Sequence, residues 1–237
     1  MSGELTLAPI ARLYSDLPTK FGVPRQSGLA PALESLIVFE KEFSDRNALR
    51  GIMEYSHLWL IWGFSENEKR DGFSATVRPP RLGGNTRIGV FATRSPFRPN
   101  PLGLSSVRLI AAEEVKDGLA LRVSGADLVS GTPIYDIKPY LPYSDSHPDA
   151  KGGFGQEHSA DRLTVFCEKA LCDRLPEKSR RALIDILASD PRPSYQNDSE
   201  RVYGFPYAGF EIRFRVNGSE LTVTEIEEAG ETARQQG

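Results

Sequence analysis

Glycine and proline punctuate this chain densely enough to limit what it can fold into. Its 237 residues hold 21 glycines and 17 prolines, with short runs of β-branched, aromatic and aliphatic residues between them. Leu36–Phe39, Ala75–Val77, Ser106–Ala111 and Leu119–Val123 are such runs, each bounded by turn formers, and Lys116-Asp117-Gly118 closes the last two into a hairpin. His57–Phe64 (HLWLIWGF) is continuously apolar and aromatic, the pattern of a strand buried on both faces or central in a barrel. Leu5–Leu13 alternates loosely and reads as a first strand, and Ser44 or Asp45 can cap a short helical turn leading to Met53. Many short strands joined by Gly/Pro turns predict a mainly β domain, a barrel or sandwich, rather than alternating βα units.

A polar, Gly-rich stretch interrupts this pattern (SDSHPDAKGGFGQEHS, Ser144–Ser159), and the sequence changes character beyond it. Leu163–Phe166 is strand-like. Glu177–Ala188 follows Pro176 and carries Leu183, Ile186 and Leu187 on one helical face. Phe210, Ile212, Phe214 and Val216 alternate with charged residues, and Asn217-Gly218 turns the chain back onto Leu221 and Val223. The expected organisation is a β-barrel domain over residues 1–145, a linker or mobile loop over 146–160, and a small α+β appendage over 161–230. The residues from Gly230 onward are expected to fray.

Two cysteines, Cys167 and Cys172, make neither a disulfide framework nor a metal quartet, and His57, His147 and His158 are too scattered for a zinc site. No apolar run approaches the ~20 residues of a membrane span, and the N-terminus lacks the basic-then-apolar order of a signal peptide. The expectation is a soluble, cytoplasmic protein without a metal. No dinucleotide-type G-x-G-x-x-G, P-loop or nucleophile elbow is present, so a nucleotide-like ligand needs another architecture.

The net charge of −3 is unevenly spread. Gly72–Ala112 has no Asp or Glu but holds Arg78, Arg81, Arg87, Arg94, Arg98 and Arg108, which leaves −9 for the rest of the chain. Arginines in such a strip either bind a polyanion with their fork-shaped guanidinium groups or pair with acids from elsewhere in the fold. Within the strip, Arg87–Ser105 (RIGVFATRSPFRPNPLGLS) opens like a strand at Ile88, Val90 and Phe91. It then enters a loop stiffened by Pro96, Pro99 and Pro101, with Gly103 allowing close approach of the backbone. Stiff loops bearing polar groups are where binding and catalysis gather.

Asp136, Lys138 and Tyr140 alternate along an extended stretch and share one face, either as a catalytic group or as a surface ion pair beside a packed tyrosine. His57 reads as a hydrogen-bonded core residue, and Trp59 and Trp62 as core. Tyr195, Tyr203 and Tyr207 either stack bases or pack.

Several of these stretches form one set of motifs: PRQ at Pro24–Gln26, SHLW at Ser56–Trp59, RPPRLGGN at Arg78–Asn85 and GVFATRSPFRPNPLGLS at Gly89–Ser105. DLVSGTPIYDIKPYLP at Asp127–Pro142 and DPRPSY at Asp190–Tyr195 complete it. Together they resemble the TsaA-like family, which holds the TrmO tRNA N6-methyltransferases, and the resemblance covers nearly the whole chain. It implies a β-barrel that binds S-adenosyl-L-methionine without a Rossmann-type fold, and a homodimer. The implied substrate is the N6-threonylcarbamoyladenosine at tRNA position 37, just 3′ of the anticodon, chiefly in threonine tRNAs. Carried over by motif, the cofactor contacts are Pro24, Arg25, Gln26, Phe64, Ser65, Arg94, Leu104 and the turn Gly125, Ala126, Asp127 and Leu128. The resemblance gives the site rather than the roles of its residues.

The acceptor nitrogen of such a nucleoside is ureido-like and becomes nucleophilic only as its proton leaves, which nominates Asp136 as proton acceptor. Lys138 would meet the threonyl carboxylate, and Tyr140 would orient base or acid. Arg78, Arg81, Arg87 and Arg98 would meet phosphates of the anticodon stem-loop. A non-catalytic RNA-binding barrel and a small-molecule methyltransferase are the competing readings.

Overall fold

The computed structural model describes residues 3, 5–66, 72–79, 82, 85–156, 162–192 and 198–229. Six strands hydrogen-bond into a closed barrel in the order β1-β2-β7-β6-β3-β8. They are β1 (Ala11–Ser15), β2 (Glu34–Phe39), β3 (His57–Gly63), β6 (Leu102–Val115), β7 (Gly118–Ser124) and β8 (Thr132–Pro139). All the contacts around this ring are antiparallel. Leu13, Ile37, Leu58, Leu60, Val107, Leu121, Val123 and Ile134 fill it. The first strand starts later than its loose alternation suggests. Pro9 has no N–H to give, and the ladder begins at Ile10, which donates to the Ile134 carbonyl at 2.8 Å.

Between β3 and β6 a two-stranded ribbon projects, β4 (Thr76–Val77) paired with β5 (Ile88–Gly89). The expected strand through Val90 and Phe91 stops at Gly89. A single 3₁₀ turn, Val90–Ala92, replaces it. Val90 sinks into the protein, with its N–H on the Ala75 carbonyl at 2.9 Å, and the chain turns around that anchor. Asp45 caps a second 3₁₀ turn, Arg46–Leu49, by accepting from the Asn47 N–H.

Short helices α1 (Pro142–Asp145) and α2 (Lys169–Cys172) flank the passage to the C-terminal unit, where Cys167 and Cys172 form a disulfide. That unit is a sheet in the order β10-β11-β12-β9. Its strands are β9 (Thr164–Phe166), β10 (Tyr203–Tyr207), β11 (Phe210–Asn217) and β12 (Glu220–Glu228). Leu183, Ile186 and Leu187 of helix α3 (Glu177–Ala188) share one core with the sheet's inner side chains. Leu17, Ala30 and Leu33, from the segment between β1 and β2, are buried in that same core. Part of the N-terminal half therefore packs as a piece of the C-terminal unit.

Candidate functional site

The site is built at one end of the barrel. Residues 58, 60 and 62 of β3 point inward, as do 103, 105, 107 and 109 of β6, because side chains alternate along a strand. Trp62 pairs with Gly103, and its indole ring lies across that glycine. A Cβ on residue 103 would stand 2.1 Å from Trp62 Cε2, so only glycine fits. The Trp62 Nε1–H donates to Ser105 Oγ at 3.0 Å, and the Ser105 hydroxyl donates to Asp127 Oδ1 at 2.6 Å. Burial pushes the Asp127 carboxyl above the ordinary aspartate range. The Ser105 hydrogen bond, its own and the Ser27 backbone, and the Arg94 charge pull the other way.

The turn that presents Asp127 is fixed from both sides. Gly125, at φ +78°, donates from its N–H to the Leu33 carbonyl at 2.9 Å. Its own carbonyl accepts from the Gly28 N–H at 2.8 Å. Ala126 and Leu128 turn into the barrel core, so Asp127 is the side chain of that turn offered to the site. At the rim, Arg94 donates to the Gln26 side chain, Arg25 Nη2 donates to the Arg192 carbonyl at 2.6 Å, and Phe64 packs edge-on to Trp62 at 4.5 Å. Pro24 is buried beside them, and Ser65 is exposed just past β3. Arg192 is itself held by two bonds to Asp190, which keep its guanidinium charged.

Outside this end opens a cleft of about 2500 Å³, walled by the ribbon β4–β5, the proline loop, Leu102, Tyr135 and the segment Gly152–Gln156. Arg25, Arg78, Arg87, Arg94, Arg98 and Arg192 line it, and among its described lining residues there is no Asp or Glu. None of Arg78, Arg87, Arg94, Arg98 and Arg108 forms an ion pair with a described residue. This favours a polyanion over internal pairing for the strip. Arg98 also braces the loop, donating to the Thr93 carbonyl at 3.1 Å. Arg81 lies outside the described residues, as does Tyr195.

Asp136, Lys138 and Tyr140 do share a face, the outer one. Tyr135 is the extra residue of a bulge opposite Ile61 and Trp62, so Ile134 and Ile137 both face the core while Asp136 faces out. Lys138 Nζ sits 3.0 Å from Asp136 Oδ2, and the Tyr140 ring packs against those of Trp59 at 5.6 Å and His57 at 6.2 Å. Leu104 lies on this outer face too, 55% exposed and across Ile61 from Asp136. Asp136 follows Tyr135 and Leu104 lies two residues from Leu102, and Tyr135 and Leu102 both line the cleft. The sequence-derived site is thus split between the barrel end, which holds Gln26, Phe64, Arg94 and Asp127, and the adjoining outer wall.

Several expectations need correction. His57 is hydrogen-bonded, to Ser56 Oγ at 2.9 Å, but exposed rather than core, because its strand position faces out. Trp59 also faces out, giving its Nε1–H to Asp145 Oδ2 at 2.8 Å; the Leu141 N–H first, and then this bond, lower the carboxyl's pKa. Tyr203 and Tyr207 are packed in the C-terminal core and are not surfaces for bases. Sequence reasoning does not reach Ser105, Trp62, Tyr135 or Phe73, the last of which lines the cleft. For Trp62 and Ser105 the signal was Gly103 itself, whose missing Cβ marked a close approach. Tyr135 and Phe73 carried no such mark.

Among the described residues no helix is long and apolar enough to cross a membrane, and no cluster of His, Cys, Asp or Glu could hold a metal ion. Family models describe residues 12–146 as a tRNA-methyltransferase O N-terminal domain and residues 160–229 as a TrmO C-terminal domain. The tRNA (adenine(37)-N6)-methyltransferase of Escherichia coli K12 is 38% identical over 226 residues, covering 92% of this chain and 96% of that protein. A Pseudomonas aeruginosa protein called a putative S-adenosylmethionine-dependent methyltransferase, RcsF, is 39% identical over 206 residues, 84% of this chain and 87% of its own. The crystal structure of TrmO from Pseudomonas aeruginosa superposes with a TM-score of 0.74 at 30% identity, covering 96% of this chain and 100% of that one. With both domains matched in order and relatives aligned along nearly their whole length, the chain belongs to the tRNA-methyltransferase O family.

Proposed function

We propose that this chain is an S-adenosyl-L-methionine-dependent tRNA methyltransferase acting on N6 of adenosine 37, with the N6-threonylcarbamoyl nucleoside as its substrate. The observation that carries this reading is the family membership across both domains, joined to an arginine-lined cleft beside the barrel end. The residues there suit the cofactor. Asp127 brings a carboxyl group whose burial favours the neutral form and which a bound cation would draw into its charged form, Gln26 and Arg94 offer polar groups at the rim, and Trp62 with Phe64 offers an aromatic wall. Bound there, S-adenosyl-L-methionine supplies an electrophilic methyl group.

The rest of the chemistry is assigned to the chain. Asp136 accepts the proton from the ureido-like nitrogen, Lys138 meets the threonyl carboxylate, and Tyr140 orients the base. Asp136 adjoins Tyr135 of the cleft wall and pairs with Lys138 at 3.0 Å, which supports this division of roles, with Tyr140 further along the same face. Arg78, Arg81, Arg87 and Arg98 hold phosphates of the anticodon stem-loop. A homodimer in the cytoplasm belongs to the same proposal. Light scattering of the purified protein checks the dimer.

The deciding experiment is nucleoside mass spectrometry on tRNA from cells with and without the gene, repeated with purified protein, cofactor and threonine tRNA. A mass gain of one methyl on the threonylcarbamoyl nucleoside is expected. Methylation of tRNA lacking the threonylcarbamoyl group to the same extent would refute the substrate assignment.

A further inference from the structure

Two phenylalanines in the cleft are left without cover. Phe91 is 71% exposed and Phe73 is 63% exposed. Their rings lie 24° from parallel with centroids 6.2 Å apart. Neither position is an accident of a loose loop. Val90 is 1% exposed and pins the 3₁₀ turn, so its neighbour Phe91 must face solvent. Thr93 reinforces the turn, giving both its N–H and its hydroxyl to the Val90 carbonyl. Phe73 precedes β4, the strand paired with β5, so the ribbon brings the two rings together from positions 18 residues apart.

A partner for this pair must satisfy its surroundings as well as the rings. Arg78, Arg87, Arg94 and Arg98 line the same cleft, with no acidic group among its described lining residues. The partner therefore carries several negative charges and flat apolar faces together. An unpaired stretch of RNA has both, phosphates for the guanidinium groups and base faces for the phenyl rings. The cleft, at about 2500 Å³, also exceeds the roughly 300–1,000 Å³ usual for a single small ligand.

We infer that Phe73 and Phe91 form a stacking platform for an unpaired anticodon-loop base next to the methylated nucleotide. This rests on the tRNA methyltransferase reading. A phenyl ring has no polar atom with which to read a base edge, so the platform selects an unstacked base rather than a particular one. Duplex RNA, whose bases are already stacked, gains nothing from it.

The test uses the full-length protein and an anticodon stem-loop RNA carrying 2-aminopurine beside the target adenosine. Wild-type protein should quench the probe on binding. Phe91→Ala and Phe73→Ala should each weaken RNA binding roughly 5- to 100-fold and remove quenching, with cofactor affinity and the salt dependence of RNA binding unchanged. Phe91→Tyr should keep both binding and quenching, and Phe91→Leu should keep the fold without restoring the quench. Near-normal affinity with full quenching in both alanine variants would overturn the inference. So would loss of cofactor affinity instead of RNA affinity, which would place the rings in the cofactor site. Wild-type protein that ignores the stem-loop altogether refutes the function proposed above. Wild-type binding with unaffected alanine variants refutes the platform alone.

Discussion

Gly103→Ala puts the barrel-end geometry to a quantitative test. The added Cβ would meet Trp62 Cε2 at 2.1 Å, Cζ2 at 2.3 Å and Cδ2 at 2.5 Å. Carbon atoms settle about 3.5–4.0 Å apart, so the indole or the strand must move by about 1.5 Å. Crowding of this kind costs about 1–3 kcal/mol. A displaced indole also loses its 3.0 Å bond to Ser105, worth about 0.5–1.5 kcal/mol net. The total is about 2–4 kcal/mol, a large share of the roughly 5–15 kcal/mol that holds a typical domain folded. In urea, with a slope of about 2–3 kcal/mol/M, the midpoint should fall by about 1 M. Cofactor affinity measured by calorimetry should drop as well, because Ser105 positions Asp127. Trp62→Leu clears space, so the cost of Gly103→Ala in that background should shrink below about 1 kcal/mol. A Gly103→Ala protein within about 0.5 kcal/mol of wild type would refute the close-approach argument. An equal cost in the Trp62→Leu background would refute it as well.

Asp127 sits where burial favours its neutral form, so its contribution to stability is full below the unfolded aspartate pKa and is lost as pH rises through the raised folded value. In cofactor-free protein, Asp127→Asn should therefore gain stability relative to wild type as pH rises above the ordinary aspartate range in denaturant titrations; the opposite trend would contradict burial as the dominant cause. Replacing Arg78 and Arg87 together by alanine should flatten the slope of log affinity for tRNA against log salt by about 1–2 units and leave cofactor binding alone, and an unchanged slope would remove both from the RNA surface. Asp136→Asn should keep cofactor and tRNA binding while lowering the single-turnover methylation rate roughly 10²–10⁴-fold. A folded variant with near-normal rate would transfer proton removal to water or to the substrate's own carboxylate.

What could be read in the sequence were the features whose causes are local. Glu177–Ala188 has the helical bounds that Pro176 and the apolar spacing imply, and Asn217-Gly218 closes the β11–β12 hairpin. HLWLIWG is a strand hydrogen-bonded on both edges, with Leu58 and Leu60 fully buried inside the ring and Trp59 and Ile61 half-covered outside it. The shared face of Asp136, Lys138 and Tyr140 was legible because the bulge falls at Tyr135, just before the alternation starts. Contacts between distant residues were not legible. Ser105 and Asp127 meet only because β6 and β7 are neighbours in the ring, and nothing in either segment names the other. The exposed phenylalanines were hidden for a similar reason. Burial of Val90 rather than Phe91 depends on a turn that the β-prone letters IGVF argue against.

The segment between β1 and β2 shows why neither half of this chain is a self-sufficient account of the site. By sequence it precedes most of the barrel, and it carries Pro24, Arg25 and Gln26. By packing it belongs to the other core, where Leu17 and Leu33 are fully or almost fully buried, each worth about 1.5–3 kcal/mol relative to exposure. Polar ties follow the same path. The Ala32 N–H donates to Asp185 on α3 at 3.1 Å, and the Ala208 N–H donates to the Asp16 carbonyl at 3.0 Å. Arg25 then reaches the Arg192 carbonyl just beyond that helix. The other side of the segment is bonded to the barrel through Gly28, Gly125 and Leu33 at the turn that bears Asp127. A shift of α3 would therefore be transmitted through two leucines and an arginine to the rim, and through two backbone hydrogen bonds to Asp127. The C-terminal unit accordingly acts as a scaffold for the segment that bears Pro24, Arg25 and Gln26.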